Sequence, residues 1–90
     1  MNTFDFGKAI EALKAGHKVA RTGWNGKGMW LALVDGDAWS LNRSVPTFSA
    51  IATDTDRFLP WIGMRTADRG FVPWLASQTD VLAEDWTRVD

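Results

Sequence analysis

Ninety residues with 46% hydrophobic and 23% charged side chains fit one compact globular domain and exclude a disordered tail, a collagen-like chain and a coiled coil. A chain this short buries about 60–65% of the surface its unfolded form exposes, so its stability margin is thin. The formal charge of −1 lacks the strong positive excess of a nucleic-acid polymer binder, and the absence of cysteine removes disulfides, thiolate metal sites and cysteine nucleophiles.

The first predicted element is a helix over residues 5–15. Phe6, Ala9, Ile10 and Leu13 recur at i, i+3, i+4 and i+7, with Lys8, Glu11 and Lys14 on the other face. Asp5 or Thr3 can cap its start, and Gly16 stands where a left-handed C-terminal cap belongs. A strand follows over 17–22, with Val19 alternating against Lys18 and Ala20. The segment Gly23-Trp24-Asn25-Gly26-Lys27-Gly28 then carries the Asn-Gly signal of a hairpin, because both residues tolerate positive φ. Residues 29–34 form a second strand that is apolar on both faces. A lone two-layer domain leaves one strand face polar, so the second face is expected to be covered by another subunit.

Asp35-Gly36-Asp37 reads as a turn and residues 38–41 as a third strand. Residues 43–57 are rich in Ser, Thr and Asp and read as a surface loop anchored by Phe48 and Ile51. Strand character resumes over 58–66, where Pro60 suggests an edge position or a bulge. Asp68-Arg69-Gly70 turns the chain into Phe71-Val72-Pro73-Trp74. Ser77 to Asp80 offer capping residues before a short helical turn over 81–85, and 86–89 end as a strand. The reading is a single α+β domain over residues 1–90. No apolar run approaches the roughly 18 residues of a membrane span, and the first residues lack the basic and apolar regions of a signal peptide, so a reducing, cytoplasmic setting is expected.

The side chains favour binding over catalysis. His17 is the sole histidine and sits at a turn, where it reads as a surface residue. One histidine and no cysteine cannot assemble a zinc set within one chain, and neither a Gly-x-Ser-x-Gly elbow nor a phosphate-cradling Gly-Lys loop occurs. Eleven acidic residues make a chance carboxylate pair easy to find. Six tryptophans and no tyrosine are the unusual feature, since a small core cannot easily enclose six indoles with their N–H groups satisfied. Some are expected at a subunit interface or in a pocket; plain core or interface filling is the ordinary alternative. Trp24 in its glycine-rich turn and Trp74 after Pro73 are candidates to stack on nucleobases. Arg65 and Lys27 could pair with phosphate, and Asn25, Asp68 and Asp80 with ribose or base edges. Asp68 as a turn residue and Asp80 as a helix cap are the plain readings of the same positions. Arg21, Arg43 and Arg57 read as solvated or interface charges.

Phe6-Gly7-x-Ala9-Ile10-x-Ala12-Leu13-Lys14-x-Gly16 and Val19-Ala20-Arg21-x-Gly23-Trp24-Asn25-Gly26-Lys27 closely resemble the start of the Thoeris anti-defence 2 family of small phage and prophage proteins. Met64-Arg65-Thr66-Ala67-Asp68 and the run from Val72-Pro73-Trp74 through Ser77-Gln78-Thr79-Asp80 to Trp86 resemble its tail. Pro60-Trp61-Ile62-Gly63 departs from it, standing where a histidine-containing run ending in an acidic residue is expected, and Arg69 is an extra residue in the turn. The resemblance implies a sponge that sequesters a cyclic ADP-ribose-type immune messenger, or in some members a cyclic oligonucleotide, without cleaving it. It implies an N-terminal helix on antiparallel strands, a homotetramer with pockets between subunits, and no cofactor or catalytic residue. By position it implies that Trp24 and Trp74 flank a base, and that Asn25, Arg65, Thr66, Ser77, Gln78 and Asp80 contact phosphates and ribose. The alternatives are a structural or protein-binding phage module and an enzyme that degrades such a messenger.

Overall fold

The computed structural model describes residues 2–24, 28–36 and 58–90. Helix α1 spans Phe6–Lys14. Its start is fixed by Asp5, whose carboxylate accepts the Lys8 backbone N–H at 2.9 Å. Its end is fixed by Gly16 at φ 94°. There the Gly16 N–H reaches the Leu13 carbonyl at 3.0 Å and the His17 N–H reaches Ala12 at 2.9 Å, closing off two carbonyls that the helix itself leaves unpaired. The left-handed φ explains the glycine, since a Cβ would strain that backbone.

Among the described residues five strands follow, β1 Val19–Arg21, β2 Trp30–Val34, β3 Trp61–Arg65, β4 Phe71–Pro73 and β5 Trp86–Arg88, with helix α2 at Gln78–Leu82 before the last. They form one antiparallel sheet in the order β4-β3-β2-β1-β5. The α+β fold, with its N-terminal helix, short second helix and final strand, is the one expected. Strand β5 would be an open edge, but Phe4 pairs with Trp86 through bonds of 2.8 and 3.1 Å in both directions.

The register assigns the faces. Val19 lies opposite Leu31, Leu31 opposite Met64, and Arg21 opposite Trp86, so these side chains share one face. Helix α1 lays Ala9 and Leu13 on that face against Val19, Leu31 and Trp86, all buried. Each such aliphatic side chain contributes about 1.5–3 kcal/mol when fully buried. Trp30, Ala32 and Val34 point to the opposite face. Phe71 lies 6.2 Å from both Trp30 and Trp61 there, ring centre to ring centre, and the Lys18 ammonium sits 4.4 Å over the Trp30 ring.

Two expectations change. Strand β3 is interior, between β2 and β4, not an edge; Pro60 stands one residue before it, where its missing N–H costs no ladder bond. Pro73 instead ends the true edge strand β4. The second helix begins three residues earlier than the predicted turn over 81–85, because Ser77 is its N-cap and Asp80 already lies inside it. The strand expected over 38–41 and the loop over 43–57, with Phe48, Ile51, Arg43 and Arg57, lie outside the described residues, as do Asn25 and Lys27.

Candidate functional site

Trp86 organises the site region. It is fully buried in β5, and among the described residues three aromatic rings pack on it. Trp24 meets it edge-on at 5.4 Å, Trp74 edge-on at 6.0 Å, and Phe6 at 5.4 Å. Trp74 also packs on Phe6 at 6.2 Å. Trp24 comes from the β1–β2 connection and Trp74 from the start of the β4–β5 connection. Strands β4 and β5 are opposite edges of the sheet, so that connection must recross the sheet, and it carries Trp74 over to Phe6 and Trp86. The fold thus joins two tryptophans fifty residues apart in sequence. Both are half-buried, so each has one part committed to the core and another facing out.

The segment between Trp74 and Trp86 is held by a cap and an ion pair. Ser77 Oγ accepts the Asp80 N–H at 3.1 Å, and Asp80 Oδ2 accepts the Ser77 N–H at 3.2 Å and the Ser77 hydroxyl at 2.9 Å. This is a reciprocal capping box with aspartate in the glutamate position. Asp80 Oδ1 accepts from Arg21 Nη1 at 3.0 Å, and the Asp80 carbonyl accepts the Trp86 indole N–H at 2.9 Å. Arg21 Nε donates to Asp85 Oδ1 at 2.8 Å. Arg21 is therefore not a solvated charge. It sits two residues from Val19 on the core-facing side of β1, where a guanidinium is stable only if its donors find carboxylates. That alternation was the available signal for a structural role.

The protonation chemistry follows from these bonds. Burial pushes the Asp80 carboxyl up, but the hydrogen bonds from Arg21 and Ser77 outweigh it and hold the group below the usual carboxylate range. The Arg21 bond does the same for Asp85 against its own burial. Their hydrogen bonds raise Arg21 in return, so it stays charged at any ordinary pH.

Of the remaining residues expected to bind, Gln78 is exposed at the first position of α2. Arg65 projects from the sheet face opposite Trp86, since its neighbour Met64 lies on the Leu31 face; its Nη1 donates to the Gly28 carbonyl at 2.7 Å. Thr66 belongs to the turn after β3. Its hydroxyl donates to Asp68 and accepts the Gly70 N–H at 2.9 Å, and this bond from Thr66 holds the Asp68 carboxyl below its ordinary value. The residues of the family resemblance thus form two groups: Trp24, Trp74, Ser77, Gln78 and Asp80 around Trp86 and Arg21, and Arg65 with Thr66 at the β3 end. A cleft of about 380 Å³ is lined by Thr3, Phe4, Asp5, Lys8 and Glu84, none of them among these candidates. His17 Nδ1 lies 3.6 Å from Asp90, away from both groups.

A profile of the Thoeris anti-defense 2-like domain matches residues 4–89. The chain is 42% identical to Thoeris anti-defense 2 of Bacillus phage SP01, over 90% of this chain and 89% of that protein. The match takes in α1, all five strands and α2, and with it both groups of candidate residues. The chain belongs to the Thoeris anti-defense 2-like family.

Proposed function

We propose that the protein is a phage anti-defence sponge that binds and sequesters a cyclic ADP-ribose-type messenger, or a cyclic oligonucleotide of like chemistry, without breaking a bond in it. What carries this reading is the convergence of Trp24 and Trp74 on Trp86 in a chain of this family. Two half-buried indoles offer flat faces for adenine, at about 1–3 kcal/mol per stacked base. The exposed Gln78 and Thr79 side chains suit ribose and phosphate, while Ser77, whose N–H and hydroxyl both serve Asp80, holds the cap that presents them. Asp80 Oδ2 accepts twice from Ser77, but among the described residues Oδ1 accepts only from Arg21 and keeps a lone pair for a ribose hydroxyl.

Self-association is part of the same reading. Arg65 lies on the sheet face opposite Trp86, and Arg65 and Thr66 of one subunit can complete the tryptophan cluster of another. The aromatic face of Trp30, Trp61 and Phe71 and the exposed Leu75 and Leu82, 91% and 75% accessible, supply apolar surface for it. The assembly proposed is a homotetramer acting in the cytoplasm of the infected or lysogenic host, where such messengers are made.

The test is retention. The protein is incubated with cyclic ADP-ribose isomers and cyclic dinucleotides, freed of unbound compound, and heat-denatured. Release of chemically unchanged nucleotide only on heating is the expected result. A processed nucleotide would instead mark an enzyme, and no depletion of any compound a structural or protein-binding module.

A further inference from the structure

We infer that Arg21 is a positioning residue that ties the order of the Trp24 turn to the order of the Ser77 cap, so that the two loops of the proposed site behave as one unit. The inference rests on the sponge reading for its consequence, but its geometry stands apart from it. A single guanidinium reaches two carboxylates, Asp85 through Nε at 2.8 Å and Asp80 through Nη1 at 3.0 Å. Each carboxylate then uses its other oxygen on a different loop. Asp85 Oδ2 accepts the Gly23 backbone N–H at 3.0 Å and the Thr22 hydroxyl at 3.4 Å, which fixes the backbone entering Trp24. Asp80 Oδ2 accepts from Ser77 and closes the capping box.

The three side chains are 18%, 15% and 30% accessible, so their bonds are only partly exposed to competing water. Gly23 is part of the arrangement: a Cβ there would stand 3.0 Å from Asp85 Oδ2, so that carboxylate would have to give by a few tenths of an ångström. The Trp24 N–H in turn bonds the Arg21 carbonyl at 3.2 Å, so backbone and side chain of one residue hold the same turn. Arg21 acts through the two carboxylates. A site fixed in this way loses little conformational entropy on binding. Lysine cannot replace it, because one ammonium lacks the rigid fork that addresses two carboxylates at once.

The experiment measures amide hydrogen exchange residue by residue in the full-length protein, without nucleotide, for the parent, Asp80→Asn, Asp85→Asn and Arg21→Lys. Cross-loop effects decide it. Asp80→Asn should accelerate exchange at Gly23 and Trp24, and Asp85→Asn at Ser77 and Asp80, each by about fivefold or more, the lower end of ordinary coupling between sites. Acceleration confined to the loop that carries the substitution would overturn the coupling, as would unchanged exchange at both loops in Arg21→Lys. If Arg21→Lys does not fold, the two Asp→Asn variants carry the test unaided. Cyclic ADP-ribose titration forms a second arm: Arg21→Lys should weaken binding by about fivefold or more, tracking the loss of order in the loops. A parent that retains none of the nucleotides tested would sink the sponge reading, while the exchange data would still decide whether the loops are coupled.

Discussion

Trp24 and Trp74 each answer to two demands, since both pack on Trp86 while their remaining surface faces outward. Alanine at either position should therefore do two measurable things. Loss of the ring contact with a buried indole should cost about 2 kcal/mol of stability, roughly half the penalty of a fully buried tryptophan. Loss of stacking should cost about 1–3 kcal/mol of nucleotide affinity, read by calorimetry well below the melting temperature. A variant that is destabilised yet binds at parental affinity would assign that tryptophan to the core alone. Acid sensitivity is set by Asp80 and Asp85. Both carboxyls are held below their ordinary range, so their stabilising effect is complete above about pH 4 and is lost as the pH falls through their lower folded-state values. Urea midpoints of the parent should fall steeply in that acid window, and those of Asp80→Asn, already lower at neutral pH, should fall less.

Helix α2 is only five residues long, too short to persist on intrinsic propensity, so its cap and its tie to Arg21 hold it. Ser77→Ala should cost about 1 kcal/mol, the usual penalty for losing an N-cap side chain, with exchange rising first at residues 77–80. In the sheet, Gly63 is the position where β3 and β4 demand the absence of a side chain. Phe71 and Trp61 close over its α-carbon, and an added Cβ would fall well inside contact distance of the Phe71 ring. Gly63→Ala should therefore displace Phe71 from the Trp30–Trp61 group, seen as a changed tryptophan near-ultraviolet spectrum with the melting temperature lowered.

For the whole molecule, the two leucines of β2 separate folding from assembly. Leu31 is fully buried beneath α1, while Leu33 on the same face is 36% accessible near its margin. Leu31→Asp places an unpaired charge in the core and should abolish folding. Leu33→Asp should leave a folded chain whose sedimentation mass reports whether that margin is an interface. The parent should sediment as an oligomer, with a tetramer expected; a monomer mass at micromolar concentration would exclude the self-association proposed above. Nucleotide binding should be nearly flat between pH 6 and 8. The cations proposed for the site are arginine and lysine, which keep their charge through that range, and His17 lies at the far end of β1 beside Asp90.

The sequence by itself determined the elements whose signals are local. Apolar spacing and two capping residues bound α1, because helix formation depends on neighbours within a turn or two. Alternation marked β1 and a run apolar on both faces marked β2; the alternation of β1 leaves Arg21 on the side of Val19, although a lone arginine reads as solvated until its carboxylates, 59 and 64 residues away, are seen. Family motifs at both ends marked the candidate residues and the fold together. Tertiary structure alone decided the rest. The place of β3 in the sheet, the role of Pro73 at its edge and the start of α2 depend on which strands pair and which side chain wins the cap. The meeting of Trp24 with Trp74 depends on a connection that recrosses the sheet between its two edges. Such contacts join distant segments, and their stability comes from burying shared surface, a property that no short stretch of sequence possesses.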